Sequence, residues 1–219
     1  MTRESSGSLA VLIVEDHVAL GDALRMAVYL DGAMECVGVA GTVAQALELG
    51  PAADAVLMDV RLPDGDGIDA AGRLKDLRPE VCVIVLTAGA DTDALLRTAE
   101  AGASGLLPKE TRLVAILDAV RRGVAGEPVV SPSALQGLLA AARRQGPPDT
   151  GRPAPELTPE ERELLHLLAI GDDAAAIASR LGTTLEACRA RISALAPALG
   201  ARSALEALLV AARQGLLNT

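Results

Sequence analysis

Five short runs constrain this chain more than any other feature. Leu9 to Val14, Met34 to Ala40, Ala55 to Met58, Val81 to Leu86 and Ser104 to Leu107 are each four to seven residues long and mostly apolar. Runs of this length, bounded by Gly, Pro or Asp, read as strands buried on both faces. Between them lie stretches with helical periodicity. Val18 to Leu30 stops at Asp31-Gly32, and a helix capped by Thr42 runs through Leu49 to Gly50-Pro51. Ile68 to Leu77 ends at Arg78-Pro79, Asp91 caps a helix through Glu100, and Thr111 to Arg122 closes the series. Strand and helix alternating five times predict one parallel sheet covered on both faces.

The strands end in chemistry. Glu15 and Asp16 follow the first, Asp59 the third, Thr87 the fourth and Lys109 the fifth. In a doubly wound sheet these carboxyl ends converge on one crevice. After Asp59 comes a cluster of turn residues, Pro63, Asp64, Gly65, Asp66 and Gly67. A calcium loop would need later ligands that are missing, so the segment reads as a turn.

Composition narrows the function. The formal net charge is −9, so no global positive field draws nucleic acid, and any such contact needs a local patch. There is no Trp or Phe and one Tyr, Tyr29, which excludes a base-stacking platform. Cys36, Cys82 and Cys188 lie in apolar runs without zinc spacing and read as free thiols of a reducing compartment. Neither a signal-type N-terminus nor a run of membrane-spanning length is present, which leads us to expect a cytoplasmic protein with no membrane partner.

The acidic pair, the Asp, the Thr and the Lys, each after its own strand, resemble the receiver domain of bacterial response regulators. Met58-Asp59-Val60-Arg61-Leu62-Pro63 and Leu86-Thr87-Ala88 are similar to that family as well. The resemblance implies a flavodoxin-like sheet of order 2-1-3-4-5 over residues 8–126. It implies that Asp59 is the nucleophile that takes a phosphoryl group from a sensor histidine kinase. Glu15, Asp16, Asp59 and the main-chain carbonyl of Arg61 would hold Mg²⁺. Lys109 would meet the phosphoryl oxygens, and the Thr87 hydroxyl would move toward them as the switch. Where the family usually carries Tyr or Phe as the second half of that switch, this chain has Leu106. A haloacid-dehalogenase-type phosphatase also combines Asp, Thr and Lys, but it needs an Asp two residues after the nucleophile, where Arg61 stands. The expected protein is therefore not an enzyme acting on an external substrate.

Gly123 to Pro132 is turn-rich, Pro132 to Arg144 reads as a helix, and Gln145 to Pro155 is Pro/Gly-rich. Residues 127–156 are thus expected to form a connecting helix and linker. From 157 to 219 the pattern is entirely helical. Thr158-Pro159 opens one helix, Asp172 or Asp173 caps a second, Thr183 or Thr184 a third and Ser203 a fourth. Cys188, Ile192, Leu195 and Leu199 form the inward stripe of the third.

Leu157-Thr-Pro-Glu-Glu-Arg-Glu163, Ala169-x-Gly171, Ile177-Ala-x-Arg-Leu181 and Glu206-Ala207 resemble the LuxR-type helix-turn-helix domain. With the receiver, the chain resembles a LuxR/FixJ-type, NarL-like response regulator. The resemblance implies binding to double-stranded promoter DNA and a homodimer formed on phosphorylation. It places Arg189, Ala190 and Ser193 in the major groove, with Arg191, Arg180 and Arg202 on phosphates. Against this, residues 156–219 carry six Arg and no Lys beside eight acids, net −2, and Pro197 should end or kink the third helix. The alternative is an atypical regulator that works by protein–protein contact with weak or lost DNA binding.

Overall fold

The computed structural model describes residues 7–89, 91–146 and 157–217. The five expected strands are β1 (Leu9–Val14), β2 (Met34–Ala40), β3 (Ala55–Asp59), β6 (Cys82–Thr87) and β7 (Gly105–Pro108). They form one sheet in the order β2-β1-β3-β6-β7, every neighbouring pair parallel. This is the order 2-1-3-4-5 expected from the resemblance. The intervening labels β4 (Arg61–Leu62) and β5 (Gly65–Asp66) belong to a small antiparallel ribbon.

Alternation along the strands splits the core into two layers. Val11, Ile13, Leu57, Ile84 and Leu86 pack with Leu24 and Val28 of α1 (Val18–Asp31) and with Ile116 and Val120 of α5 (Leu113–Val124). Leu12, Val14, Val56, Met58, Val83 and Val85 face the other way. Their layer includes α2 (Val43–Leu49), α3 (Gly67–Leu77) and α4 (Thr92–Glu100) through Ala46, Leu74 and Leu95. The layers are wholly aliphatic, as a chain without Phe or Trp requires.

The second layer does not stop at the receiver. It continues through Leu135, Leu138 and Leu139 of α6 (Pro132–Gln145) into α7 (Pro159–Ala169), α8 (Ala174–Leu181), α9 (Leu185–Ala198) and α10 (Ala204–Arg213). The connecting helix is thus a wall of the core, packed between α4 and α10. Most of the Pro/Gly-rich stretch after it lies outside the described residues.

The helix starts follow cap chemistry. Thr42, Asp91, Asp173, Thr184 and Ser203 each accept a backbone N–H from inside the following helix. At α7, Thr158 and Glu161 complete a reciprocal capping box. Three expectations need correction. The last receiver helix starts at Leu113 with Arg112 as N-cap, because the Thr111 N–H is already turned back to the Pro108 carbonyl at 3.0 Å. The turn after Asp59 contains the β4–β5 ribbon, and Asp64 reaches across to cap α2, accepting from Val43 N–H at 2.7 Å and Ala44 N–H at 3.0 Å. The turn-rich segment after α5 also pairs with the sheet, since Val129 bridges Gly105 in parallel. Pro197 behaves as expected: α9 ends one residue later, at Ala198.

Candidate functional site: the carboxylate pocket and the reading helix

Each pocket residue is placed by the sheet. The Glu15 N–H is bound to the Ala40 carbonyl at 2.8 Å, which fixes the end of β1 beside β2. Asp59 is the last residue of β3 and pairs in register with Leu86. The Lys109 N–H donates to the Thr87 carbonyl at 2.7 Å, tying the β7 end to the β6 end. Gly67 opens α3 directly beneath Asp59. A Cβ there would lie 1.8 Å from the Asp59 carbonyl oxygen, so only glycine permits this approach.

At the crevice, Lys109 Nζ lies 2.7 Å from Asp59 Oδ2. The same ammonium donates to Glu15 Oε2 at 2.7 Å and Oε1 at 2.9 Å. Glu15 and Asp59 are buried, at 3% and 4% exposure, while Asp16 is open to solvent. One carboxylate oxygen from each of Glu15, Asp16 and Asp59 falls within 4.8 Å of the others. Burial by itself would lower the Lys109 pKa, but its bonds to Asp59 and Glu15 outweigh that and hold the ammonium above the ordinary lysine value. Three carboxylates against one ammonium leave two negative charges uncompensated. A hard divalent cation bound by oxygen ligands fits that deficit.

Arg61 is exposed and its N–H donates to Asp59 Oδ1 at 3.3 Å, which turns the chain back over the pocket. Thr87 is buried, and its hydroxyl donates to the Gly89 carbonyl at 2.9 Å rather than to Asp59. Ala88 and Gly89 are exposed beside it, so the mouth of the crevice is lined by small residues. Leu106 is buried with its backbone in β7, and its N–H donates to the Val129 carbonyl at 3.0 Å.

The expected DNA-reading residues are spread across two kinds of setting. Arg189, on α9, donates from Nε to Glu127 Oε1 at 2.9 Å. Glu127 is 3% exposed, and its other oxygen takes the Arg122 Nε at 3.1 Å. Ser193, one turn further along α9, sits against Gly126 so closely that a Cβ on that glycine would come within 2.1 Å of the Ser193 hydroxyl. Arg202 pairs with Asp76 of α3 at 3.1 Å and with Glu206 at 3.3 Å, and it donates to the Glu100 carbonyl at 2.5 Å. Arg191 pairs with Glu160 and Arg180 with Asp172, both at 3.0 Å within the C-terminal unit, and Ala190 is exposed. The structure therefore engages Arg189 and Arg202 with groups outside the C-terminal unit, and it sets Ser193, itself exposed, beside Gly126. Sequence reasoning missed the Glu127 and Asp76 carboxylates and the Glu100 main-chain carbonyl as their partners. Acids in loops and at helix ends look like ordinary solvated charges until the fold brings them together.

A doubly wound sheet with this pocket at its carboxyl edge, joined to a bundle containing a helix-turn-helix, defines a two-component response regulator. Residues 11–121 match the family model described as the response regulator receiver domain. The chain is 33% identical over 192 residues to the "DNA-binding transcriptional activator DevR/DosR" of Mycobacterium tuberculosis, covering 87% of this chain and 88% of that one. It is 30% identical to the "Probable transcriptional regulatory protein NarL" of the same species over the full length of both. Among solved structures, the response regulator ChrA of a heme-sensing two-component system is 26% identical, with a TM-score of 0.51, covering 96% of this chain and 99% of that one. The chain belongs to the response regulator family, and to its NarL/LuxR-type branch.

Proposed function

We propose that Asp59 accepts a phosphoryl group from a sensor histidine kinase and that the modified chain regulates transcription through its C-terminal helix-turn-helix. The observation that carries this reading is the Glu15–Asp59–Lys109 cluster with Asp16 at its rim. An Asp59 carboxylate oxygen attacks phosphorus, the bond from phosphorus to the donor nitrogen breaks, and an acyl phosphate remains on Asp59. Glu15, Asp16, Asp59 and the Arg61 carbonyl would hold Mg²⁺, which neutralises charge on the incoming oxygens when bound. Lys109, already seated between Glu15 and Asp59, follows the new negative charge onto the phosphoryl oxygens. The Thr87 hydroxyl exchanges its Gly89 partner for the same oxygens and draws the loop inward.

In this reading residues 8–126 are the receiver, 127–156 the connector and 157–219 the DNA-binding unit. Arg189, Ala190 and Ser193 read base edges, and Arg191, Arg180 and Arg202 contact phosphates. Arg189 and Arg202 reach DNA only after Arg189 leaves Glu127 of the connector and Arg202 leaves Asp76 and Glu100 of the receiver, so this closed arrangement is the resting one. Release exposes the surfaces through which two copies pair and address two half-sites. The relative from Mycobacterium tuberculosis named as a DNA-binding activator supports this reading over most of the chain's length.

A second reading keeps the phosphorylation but gives up DNA. It is favoured by the acidic balance of residues 156–219 and by the internal acid partners of Arg180 and Arg191. Binding of promoter fragments by the phosphorylated chain, titrated with salt, separates the two. A DNA reader shows sequence preference and a negative salt slope set by the few phosphates it neutralises. Absence of any preference at low salt supports the second reading.

A further inference from the structure

We propose that residues 127–130 act as a strap that carries the receiver's state to the reading helix, with Glu127 as its catch. The strap takes the place of the aromatic lever this chain lacks. The inference rests on the phosphorylation reading above and adds the route by which that signal would travel.

The strap is built into the sheet. Val129 accepts from the Leu106 N–H at 3.0 Å and donates its own N–H to the Ser104 carbonyl at 2.9 Å, so it continues the sheet beyond β7. It lies very close: a Cβ on Gly105 would be 2.1 Å from the Val129 carbonyl oxygen. Upstream, the Glu127 N–H is fixed to the Arg122 carbonyl at the end of α5 at 3.0 Å. Downstream, Ser131 caps α6.

One short strand joins the two ends of this route. β7 spans Gly105 to Pro108, and Lys109 follows it immediately. Lys109 is in the phosphorylation pocket, and Gly105 and Leu106 hold the strap about 10 Å away along the same extended segment. The Lys109 N–H is tied to the Thr87 carbonyl at 2.7 Å, so movement of the Thr87 loop toward an arriving phosphoryl group pulls on the end of the strand to which Val129 is hydrogen-bonded. Leu106, without an aromatic ring to swing, takes part through its backbone.

The catch is Glu127. Its carboxylate is divided between Arg122 of the receiver and Arg189 of α9. When Arg189 leaves, Glu127 keeps Arg122, so opening does not orphan a buried charge, whose cost would block reversal. Arg189 is also one of the residues proposed to read base edges. The catch thus holds the reader itself, and closing and reading are mutually exclusive.

The test uses the full chain carrying a fluorophore pair, one on the receiver and one on the C-terminal unit. Phosphoryl uptake is measured in parallel. E127Q is expected to take up phosphoryl at the wild-type rate and to be open before phosphorylation. Its unphosphorylated DNA affinity should rise about tenfold, the size of one lost charge-assisted contact. V129P, which lacks the N–H given to Ser104, is expected to be phosphorylated normally while the separation no longer responds. An E127Q chain as closed as wild type overturns the catch. A V129P chain that opens on phosphorylation like wild type overturns the strap. Because the E127Q separation is read without phosphate or DNA, a wild-type chain that takes up no phosphoryl group contradicts the proposed function and leaves the catch to be judged alone.

Discussion

At the scale of single residues, the centre of the protein is one ammonium shared by two buried carboxylates. Glu15 and Asp59 repel each other at short range in a setting with little water, and Lys109 makes that tolerable. Substituting Lys109 with Met should stop productive phosphoryl uptake. It should also lower stability by about 3–5 kcal/mol, because two buried negative charges lose their partner. Calorimetry of the variant beside wild type checks the second part, and an undiminished melting temperature would contradict it. The pKa of Lys109 is raised, so its contribution is complete below the ordinary lysine value and is lost as pH climbs through the higher folded value. Asp64 has the opposite sign. Its bonds from Val43 and Ala44 N–H hold its pKa below the usual aspartate value, so its contribution is complete above that value and fades as pH falls through the lower folded one. D64N should therefore melt below wild type near neutral pH, and the gap should shrink in acid. A gap that is constant with pH would show that the charge of Asp64 is not what holds α2.

At the scale of elements, legibility in the sequence followed burial and periodicity. The inner strands β1, β3 and β6 are apolar runs buried along nearly their whole length, and such runs cannot be read as anything solvent-exposed. The expectation of burial fails at the edge strand β2, where Glu35 and Val39 are exposed because no strand or helix covers that side fully. The polar strand ends were legible for the same reason: Asp59, Thr87 and Lys109 each interrupt or follow an apolar run abruptly. The β4–β5 ribbon and the strap at Val129 were not legible. Each pairs only one or two residues inside turn-rich sequence, too few for a period to show. The domain contact was also hidden, since Glu127 with Arg189 is a pair separated by 62 positions. Gly67 was read only as turn chemistry, whereas the fold uses it as the one residue that fits beneath Asp59. G67A should cost about 1–3 kcal/mol of stability through forced backbone movement. Because that movement is at Asp59 itself, phosphoryl uptake should slow as well. Chemical denaturation and uptake rates measured on the same preparation check both, and a variant equal to wild type in each would contradict the reading of that contact.

At the scale of the whole molecule, the receiver and the C-terminal unit share one aliphatic layer through α6, and Arg189 of α9 is held by Glu127. Beyond the Glu127 catch, Arg202 bridges Asp76, Glu206 and the Glu100 carbonyl, and the Ser203 hydroxyl donates to the Ala103 carbonyl at 2.9 Å. A ligand or modification can move such an equilibrium only by the difference in its interaction with the two states. The phosphoryl group meets that requirement if the movement of Lys109 and Thr87 disturbs the inward-facing state more than the open one. R202Q should weaken closure from the other side of the interface and raise the hydrodynamic radius of the unphosphorylated chain. An unchanged radius would mean that the apolar layer alone keeps the domains together.

All of this depends on Asp59 being the phosphoryl acceptor. Intact mass of the chain after incubation with an acyl phosphate donor and Mg²⁺ reads it directly. The account predicts one phosphoryl group on the wild-type chain, lost on chelating Mg²⁺ before the donor is added and absent from D59N. Equal uptake by D59N, or no uptake by the wild-type chain, would contradict it.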